Sequence, residues 1–351
     1  MSTSIQQGAL VVTSISGPNA VLKSLADGAA QHGIPFILIG DSKSPGTFDL
    51  PGCEFHGLAA QRELPFAFAR LCHERSYTRK NIGYLLAMSR GTQFIIETDD
   101  DNYPREGFWS SRHPTVEGNR IATGDWLNAY AYFSETSIYP RGFPLEKLNP
   151  SAGRAGLPPR GETTHVHCPI QQGLADANPD VDAIYRMLLP LPLDFDQAPP
   201  LILGPQTWCP FNSQNTTTFR EAFPLLYLPT FCTFRMTDIW RSFIAQRILW
   251  ACGWNLSFHS STVWQERNEH DLLKDFADEI PGYLNNARIA RTLDALELVS
   301  DPAAMGENLR RCYEALIGMG LIQAGELVLL DAWLDDVKTA TTQNRTYQKE
   351  T

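Results

Sequence analysis

One stretch of the sequence, residues 94–103, constrains the fold more than any other. Phe94, Ile95 and Ile96 are apolar, and aspartates follow at positions 99, 100 and 101. This order is typical of a short buried strand that presents carboxylates at its C-terminal end, where open α/β sheets bind ligands. Two interpretations stay open: a solvated acidic turn, or a site where a hard cation such as Mg²⁺ or Mn²⁺ offsets repulsion between carboxylates.

The segment before this stretch predicts a strand–helix–strand unit. Residues 9–15 form a β-branched apolar run, apolar residues recur at helical spacing up to Gly33, and residues 35–41 form a second apolar run. Such a unit belongs to a parallel sheet. No GxGxxG motif follows the first strand, so the usual dinucleotide fold is not supported. We expect Thr13, Ser14 and Asp41 to contact the ligand; a simple turn residue is the alternative interpretation of Asp41.

Two cations stand at the start of a predicted helix. Residues 61–72 read as helical, and a second helix begins near Arg79 and Lys80. Cations in the first turn oppose the helix dipole, which favours a nearby anion such as a phosphate. A solvated pair of basic side chains is the alternative.

Composition excludes several classes of protein. The 351 residues carry a formal net charge of −10 and no Lys/Arg-rich run, so a nucleic-acid partner is not expected. Seven scattered cysteines without a CxxC pair indicate a reducing compartment. The N-terminal residues lack a signal-peptide pattern, and no apolar run is long enough to span a membrane. We therefore predict a cytoplasmic protein.

The remainder of the chain supplies further polar groups. Asp180 and Asp182 lie together on an extended piece, and the amides of Asn212 and Gln214 suit either sugar hydroxyls or a turn-rich loop. Asp238 stands in the first turn of a helix. The chain becomes helical after about residue 285.

These motifs carry a resemblance. Residues 80–84 and 99–102 resemble the nucleotide-sugar-binding half of GT-A glycosyltransferases. More narrowly, residues 9–275 resemble two groups: the reversibly glycosylated polypeptides, also called UDP-arabinopyranose mutases, and the STELLO-type glycosyltransferase-like proteins. Besides the aspartates, the segments that carry this resemblance are Arg141-Gly142-Phe143-Pro144, Pro179-Asp180-Val181-Asp182-Ala183, Pro210-Phe211-Asn212-Ser213-Gln214-Asn215, Asp238-Ile239-Trp240 and His259-Ser260.

The resemblance implies a fold and a domain plan. The expected fold is a GT-A-type, Rossmann-like α/β domain with a mixed sheet flanked by helices. Residues 1–110 are expected to bind the nucleotide sugar, residues 111–275 to form the acceptor and sugar half, and residues 276–351 to form a C-terminal helical appendage. The aromatic-rich middle and the helical tail are compatible with a homo-oligomer or another protein partner.

The resemblance also implies roles for individual residues. Asp99 and Asp101, with His259 as a third ligand, would hold Mn²⁺ or Mg²⁺ in a DXD-type motif. The residues that would bind a UDP-like donor sugar are Thr13, Ser14, Asp41, Arg79, Lys80, Asp99, Asp100, Asn212 and Gln214. Arg141 would receive the sugar, with Asp180, Asp182 or Asp238 activating it or holding sugar hydroxyls. A guanidinium is protonated at physiological pH, so it needs flanking carboxylates to act as a nucleophile.

Three functional hypotheses follow. The first is a metal-dependent glycosyltransferase that glycosylates itself at Arg141, with mutase-like chemistry as a variant. The second is a transferase that modifies a separate saccharide acceptor, with Arg141 only structural. The third is a non-catalytic nucleotide-sugar-binding or assembly protein that keeps the fold.

Overall fold

The computed structural model describes residues 7–148, 156–268 and 271–347, with side chains described as far as residue 342. Its strands are β1 (Gly8–Thr13), β2 (Phe36–Ile39), β3 (Glu54–His56), β4 (Phe94–Thr98), β5 (Asn102–Pro104), β6 (Thr115–Ile121), β7 (Thr163–His167), β8 (Ile170–Asp176), β9 (Leu201–Leu203), β10 (Asn215–Phe219) and β11 (Leu256–Gln265). Its α-helices are α1 (Ala20–His32), α2 (Leu58–Arg62), α3 (Ala67–Leu71), α4 (Lys80–Ser89), α5 (Ala183–Leu188), α6 (Thr237–Ala251), α7 (Leu272–Asp294), α8 (Met305–Gly318) and α9 (Glu326–Tyr347).

The first half of the chain forms the predicted parallel unit. β1 pairs in parallel with β2 on one side and with β4 on the other. Successive residues of β1 point to opposite faces of the sheet, so Leu10 packs under α1 while Val11 packs under α4. Gly83 in α4 allows this helix to sit close, since a Cβ there would lie 2.5 Å from Val11.

One mixed sheet runs through the described residues. Its strand order is β3-β2-β1-β4-β10-β8-β11-β9-β6-β7, and β5 pairs with β11. β10 runs antiparallel to both β4 and β8, whereas β8 and β11 are parallel. As a result β1, β2, β4, β8 and β11 all end at the same edge of the sheet, and β10 begins there.

The helix expected over residues 61–72 is interrupted. The structure has α2 and α3 instead, separated by a short turn that contains Pro65. Proline lacks an amide N–H and disfavours helical geometry in the residue before it, which breaks a continuous helix at this point.

The C-terminal helices pack on the sheet domain. Leu293 of α7, Leu309 of α8 and Trp333 of α9 are buried in the same apolar cluster as α4 and α6. The Asp336 carboxylate accepts the Ala67 and Phe68 amides at the start of α3. The expected α/β class, a mixed sheet flanked by helices with a helical C-terminal region, is confirmed. The boundaries at residues 110 and 275 stay a prediction.

Candidate functional site

A cavity of about 550 Å³ opens at the edge where the parallel strands end. Its walls include Thr13 and Ser14 after β1, Asp41 after β2, and the three aspartates after β4. The far wall includes Arg141, Asp180 and Asp238, together with Gln214 before β10. The structure thus brings most of the predicted site residues together at one place.

Asp99 is held by groups from two other elements. Its Oδ1 accepts a hydrogen bond from Tyr77 Oη at 3.1 Å and pairs with Lys80 Nζ at 3.3 Å. Oδ2 of Asp99 accepts no bond from the described residues. Burial raises the pKa of Asp99 to about 6, the Lys80 charge lowers it in part, and the negative charges of Asp101 and Asp238 add to the rise.

The Lys80 ammonium already has protein acceptors for all of its N–H groups. Its side chain is fully buried, and Nζ donates to Tyr77 Oη, to Asp99 Oδ1 and to the carbonyls of Thr98 and Ser213. An ammonium has three protons, so these acceptors already exceed its capacity. Lys80 therefore ties β4, α4 and the segment before β10 together, and its predicted contact with phosphate stays a prediction.

Asp100 and Asp101 are oriented by different partners. Asp100 accepts from the Ser14 hydroxyl, which joins the ends of β4 and β1. Asp101 accepts from Gln265 Nε2 at 3.0 Å and from Asn268 at 3.4 Å. Burial raises the pKa of both carboxyl groups. Their positions are thus fixed by β1 and by the end of β11.

Asp41 and Arg79 shape the wall of the cavity. The Asp41 carboxylate accepts the backbone N–H groups of Arg75 and Ser76, both at 2.9 Å. Arg79 is buried and donates to Gln61 and to the carbonyls of Cys72 and His73. Arg79 borders the cavity, but its donors are directed at protein acceptors; its expected contact with a phosphate stays a prediction.

Arg141 is clamped by two carboxylates. Nε and Nη2 donate to Asp180 at 2.8 and 2.7 Å, and Nη1 and Nη2 donate to Asp238, both at 3.0 Å. Nη1 also donates to the Arg235 carbonyl, so all five N–H groups of the guanidinium have an acceptor. Burial alone would lower the pKa of Arg141, but Asp180 and Asp238 hold it well above its usual value.

The backbone beside this clamp is also fixed. Gly142 has a φ of 87°, which favours glycine, and a Cβ at this position would lie 2.4 Å from Ile239. Its carbonyl accepts from Asn286 of α7 at 2.8 Å. The Arg141 side chain is therefore presented by a turn that other residues cannot readily replace.

Asp238 lies in the first turn of α6, as predicted. Its carboxylate also accepts from the Ser213 amide at 3.1 Å. Burial favours the neutral form, but Arg141, and after it Arg241, lower the pKa of Asp238 to about 2. A carboxyl group with this pKa and these partners is a poor proton acceptor, which argues against its predicted role as a base.

A buried ion pair connects α6 with the strand that leads to the aspartates. Arg241, one turn after Asp238, lies 2.9 Å from Glu97 of β4, and the Tyr84 hydroxyl donates to the same carboxylate. Glu97 and Arg241 are 1% and 2% exposed. Removing one partner of a buried pair costs more than the pair contributes, so this contact fixes the two elements relative to each other.

Of the two predicted amide side chains, Gln214 borders the cavity and Asn212 lies in the core. Gln214 lines the cavity and donates to Asn102 at 3.4 Å and to the Asn178 carbonyl at 3.3 Å. Asn212 donates to Tyr130 Oη at 3.1 Å and is almost completely buried outside the cavity wall. Asn212 thus supports the segment before β10 from behind.

His259 and Asp182 lie outside the cavity wall, as Lys80 and Asn212 do. His259 of β11 contacts Ser257 Oγ at 2.9 Å, and its burial together with the nearby Arg112 lowers its pKa to about 4. It is not among the residues that line the cavity with the aspartates. Its role as a metal ligand stays a prediction that its position does not support.

Asp182 is the second of these residues. It caps α5 by accepting the Tyr185 amide at 2.7 Å and the Tyr139 hydroxyl at 3.1 Å. The side chain is fully buried, and Oδ2 has no partner among the described residues. Burial raises the pKa of Asp182 to about 6, and the neighbouring Glu279 adds to this. Asp182 therefore stabilises the start of α5 and is not part of the cavity wall.

We expect Asp182→Asn to stabilise the protein at neutral pH. A carboxyl group with a raised pKa in the folded state costs stability as the pH rises from about 4 through 6. The asparagine keeps Oδ1 as an acceptor but carries no charge. A shift of about two pKa units corresponds to roughly 3 kcal/mol, so a gain of about 1–3 kcal/mol is expected at pH 7.5.

Denaturant unfolding between pH 4 and 8 measures this gain. The difference between Asp182→Asn and wild type should grow with pH, whereas Asp182→Ala, which lacks the cap, should be less stable than Asp182→Asn throughout. Parallel stability curves for wild type and Asp182→Asn would contradict the expectation.

Several site residues carry no signal in the sequence. Tyr77 and Ser213 touch Asp99 and Asp238, while Arg186, Arg235 and Arg267 line the same cavity. Isolated arginines and hydroxyl residues are common on protein surfaces, so composition and spacing alone do not single them out.

The donor set suits a divalent cation in part. Within residues 7–148, 156–268 and 271–347, no three His, Cys, Asp or Glu side chains form a group able to hold a metal ion. Asp99 nevertheless has an oxygen without a hydrogen-bond partner among the residues that the structure describes. The raised carboxyl pKa values of Asp99, Asp100 and Asp101 indicate burial and repulsion that a cation would relieve. Carboxylate oxygens are the ligands that Mg²⁺ and Mn²⁺ prefer.

Comparison with known proteins gives a consistent result. Residues 235–347, which include α6 with Asp238 and all three C-terminal helices, match the family described as STELLO glycosyltransferases. The chain is similar to the STELLO glycosyltransferases. Two Arabidopsis thaliana relatives, "Probable glycosyltransferase STELLO2" and "Probable glycosyltransferase STELLO1", are 28% and 27% identical to it over 93% of its length. The expected resemblance to the STELLO type is therefore confirmed.

The extent of the match limits what it implies. The chain spans 44% of the length of these curated STELLO relatives. A solved structure described as "Crystal Structure of a Mycobacterial Protein" aligns with a TM-score of 0.37 and 11% identity, covering 80% of this chain and 74% of the other. Where the structure describes the chain, no helix combines the length and apolar character needed to cross a membrane.

Proposed function

We propose that this chain binds a nucleotide sugar together with a divalent cation and transfers the sugar to a separate acceptor. The observation that carries the proposal is the position of Asp99, Asp100 and Asp101, which lie in the cavity at the sheet edge between the ends of β1 and β8. The names of the STELLO relatives, which describe probable glycosyltransferases, agree with such a reaction.

The chain's own residues position the donor. Ser14 and the loop held by Asp41 line the end of the cavity near β1 and β2, where a nucleoside would lie. Asp99, with Asp101 beside it, would hold Mn²⁺ or Mg²⁺, which supplies charge neutralisation for a leaving diphosphate. Gln214, which borders the cavity, offers an amide to sugar hydroxyls.

Arg141 has a positioning role in this proposal. All its donors are used, and the paired carboxylates favour its protonated form, which is not nucleophilic. By neutralising Asp180 and Asp238, the guanidinium allows two carboxylates to line the cavity beside three further aspartates. The sugar then goes to a hydroxyl of another molecule.

Self-glycosylation at Arg141 is the second candidate, because the side chain borders the cavity and contacts two carboxylates, of which Asp238 is a poor proton acceptor. It requires the clamp to open, since the five N–H groups of Arg141 are already bonded. Mutase chemistry on a UDP-pentose would be a variant of the same candidate.

One experiment separates these functions. Purified protein is incubated with Mn²⁺ or Mg²⁺ and a panel of UDP-, GDP- and dTDP-sugars, with and without saccharide acceptors. We expect metal-dependent release of the nucleoside diphosphate that rises when an acceptor is present, while the intact protein mass stays constant.

Other outcomes would point elsewhere. A mass gain of one sugar that disappears in Arg141→Lys would favour self-glycosylation, and a ring-isomerised donor would favour mutase chemistry. Donor binding without release or transfer under every condition would favour the non-catalytic alternative.

A further inference from the structure

Arg186 of α5 is a cation at the cavity wall. It lines the cavity and forms no ion pair within the described part of the chain. Nη2 donates to the Pro179 carbonyl at 2.7 Å, and Nη1 makes a long contact of 3.4 Å to Asn178. Its buried Nε has no hydrogen-bond partner among the described residues.

Two further arginines line the same cavity. Arg235 pairs with Glu279 and Arg267 pairs with Asp275, both at 2.8 Å. The two acids are not part of the cavity wall, whereas all three arginines are. We call Arg186, Arg235 and Arg267 the arginine cluster. The three guanidinium groups therefore face the cavity while Glu279 and Asp275 lie behind it, and Asp180 of the cavity wall lies 4.0 Å from Arg235 Nη2.

The sheet topology places this cluster away from the nucleoside end. Arg186 follows β8 in the chain and Arg267 follows β11, which lie two and three strands beyond β4. At about 4.8 Å between neighbouring strands, the end of β8 lies roughly 10 Å along the edge from the end of β4. The segment after β11 reaches back to the aspartates, because Gln265 and Asn268 donate to Asp101. Thr13, Ser14 and Asp41 lie on the opposite side of the aspartates, after β1 and β2.

The electrostatics of Arg186 agree with this geometry. Burial lowers the pKa of Arg186 to about 9, and the charges of Arg267 and Arg235 contribute to the decrease, although Asp180 and Asp275 oppose it. A bound anion would reverse this effect and would give the guanidinium the bidentate partner that it lacks.

From these observations we infer that the arginine cluster binds a carboxylate or phosphate on the sugar side of the substrate. The substrate class is thus an acidic sugar, carried either by the nucleotide donor as a uronic acid or by a separate anionic saccharide acceptor. The assignment to the sugar side rests on the proposed function, while the existence of the anion site rests on the cluster itself.

The diphosphate of the donor is the alternative occupant. It is less well suited, because contact with Arg186 and Arg235 would place it next to the Asp180 carboxylate, on the side of the aspartates away from the ends of β1 and β2. A site for the diphosphate would also respond to the nucleotide alone, which gives a direct way to separate the two occupants.

Calorimetric titrations of the full chain, carried out in the presence of Mn²⁺, test the inference with pairs of matched ligands. UDP-glucuronate is compared with UDP-glucose, and glucose 1-phosphate is compared with glucose in the presence of UDP. We expect the acidic member of at least one pair to bind about tenfold tighter or more. The first pair reports an acidic donor, and the second reports an anionic acceptor.

Variants identify the residue responsible. Arg186→Gln should remove the preference for the acidic ligand and leave the affinity for UDP unchanged, while Arg186→Lys should retain part of it. Arg62→Gln, which alters an arginine side chain that is 62% exposed and lies outside the cavity wall, is the matched control. Unchanged Tm values establish that the variants are folded.

The outcomes also separate this inference from the proposed function. Equal affinity for acidic and neutral ligands in both pairs would overturn the inference, and so would an Arg186→Gln variant that loses UDP itself. If none of UDP, GDP and dTDP binds to wild type, the proposed function fails, but Arg186-dependent binding of glucuronate or glucose 1-phosphate alone would still support the anion site.

Discussion

Replacing Arg141 by methionine is expected to lower the free energy of unfolding at pH 8 by about 3–5 kcal/mol, the usual cost of removing one partner from a buried ionic network. The change leaves Asp180 and Asp238 with buried carboxylates and no cation between them. In wild type, the low pKa of Asp238 contributes stability above about pH 4 that is lost as the pH falls through about 2.

The pH dependence should reverse in the variant. Without Arg141, burial raises the pKa of the Asp238 carboxyl, so the stability deficit should be smaller at pH 5 than at pH 8. Urea unfolding at both pH values measures this. The free energy of unfolding should fall less in Arg141→Lys than in the methionine variant. In Arg62→Met, where the replaced side chain is exposed, it should stay within about 0.5 kcal/mol of wild type. A loss below about 1 kcal/mol at pH 8 would contradict the clamp.

Replacing Asp99 by asparagine is expected to weaken metal-dependent binding of UDP by roughly 100-fold or more. Changes in groups that only support a metal ligand cost about 10–100-fold, and Asp99 is expected to be a ligand itself. Its Oδ2 has no partner among the described side chains, and Lys80 and Tyr77 keep Oδ1 oriented. The asparagine is close in size, so the fold should be retained.

Titration of UDP with and without Mn²⁺ checks this expectation. The variant should lose the difference between the two conditions, whereas Asp49→Asn, at an exposed aspartate outside the cavity wall, should behave as wild type. If Mn²⁺ increases the affinity for UDP equally in Asp99→Asn and in wild type, the cation binds elsewhere in the protein. Another group would then have to offset the burial that raises the pKa of the Asp99 carboxyl.

The local pattern of the sequence was sufficient for the parallel core. The apolar runs at β1, β2 and β4 and the helical spacing of α1 are short-range signals, and a parallel unit brings its carboxyl ends to one edge. For this reason Thr13, Ser14, Asp41 and the three aspartates could be predicted to lie together. Pro65 in the sequence is a local signal for a helix break, but the helix over residues 61–72 was expected to be continuous.

Only the tertiary structure decided which polar groups are free to bind a ligand. Lys80 and Arg79 have cationic side chains in the sequence, but the fold supplies buried acceptors for their donors. Asp182 and Asp180 are two residues apart, yet one caps a helix in the interior and the other holds Arg141. The availability of a charge depends on its partners, and these come from distant segments.

The arginine cluster illustrates the same principle in the opposite direction. Arg186, Arg235 and Arg267 are separated in sequence by dozens of residues, and each looks ordinary by itself. They become a site because β8 and β11 end side by side and α6 follows a turn that reaches the same cavity. The sequence by itself determined the sheet edge and its aspartates through local periodicity, whereas the balance of charge across the cavity arose from long-range packing.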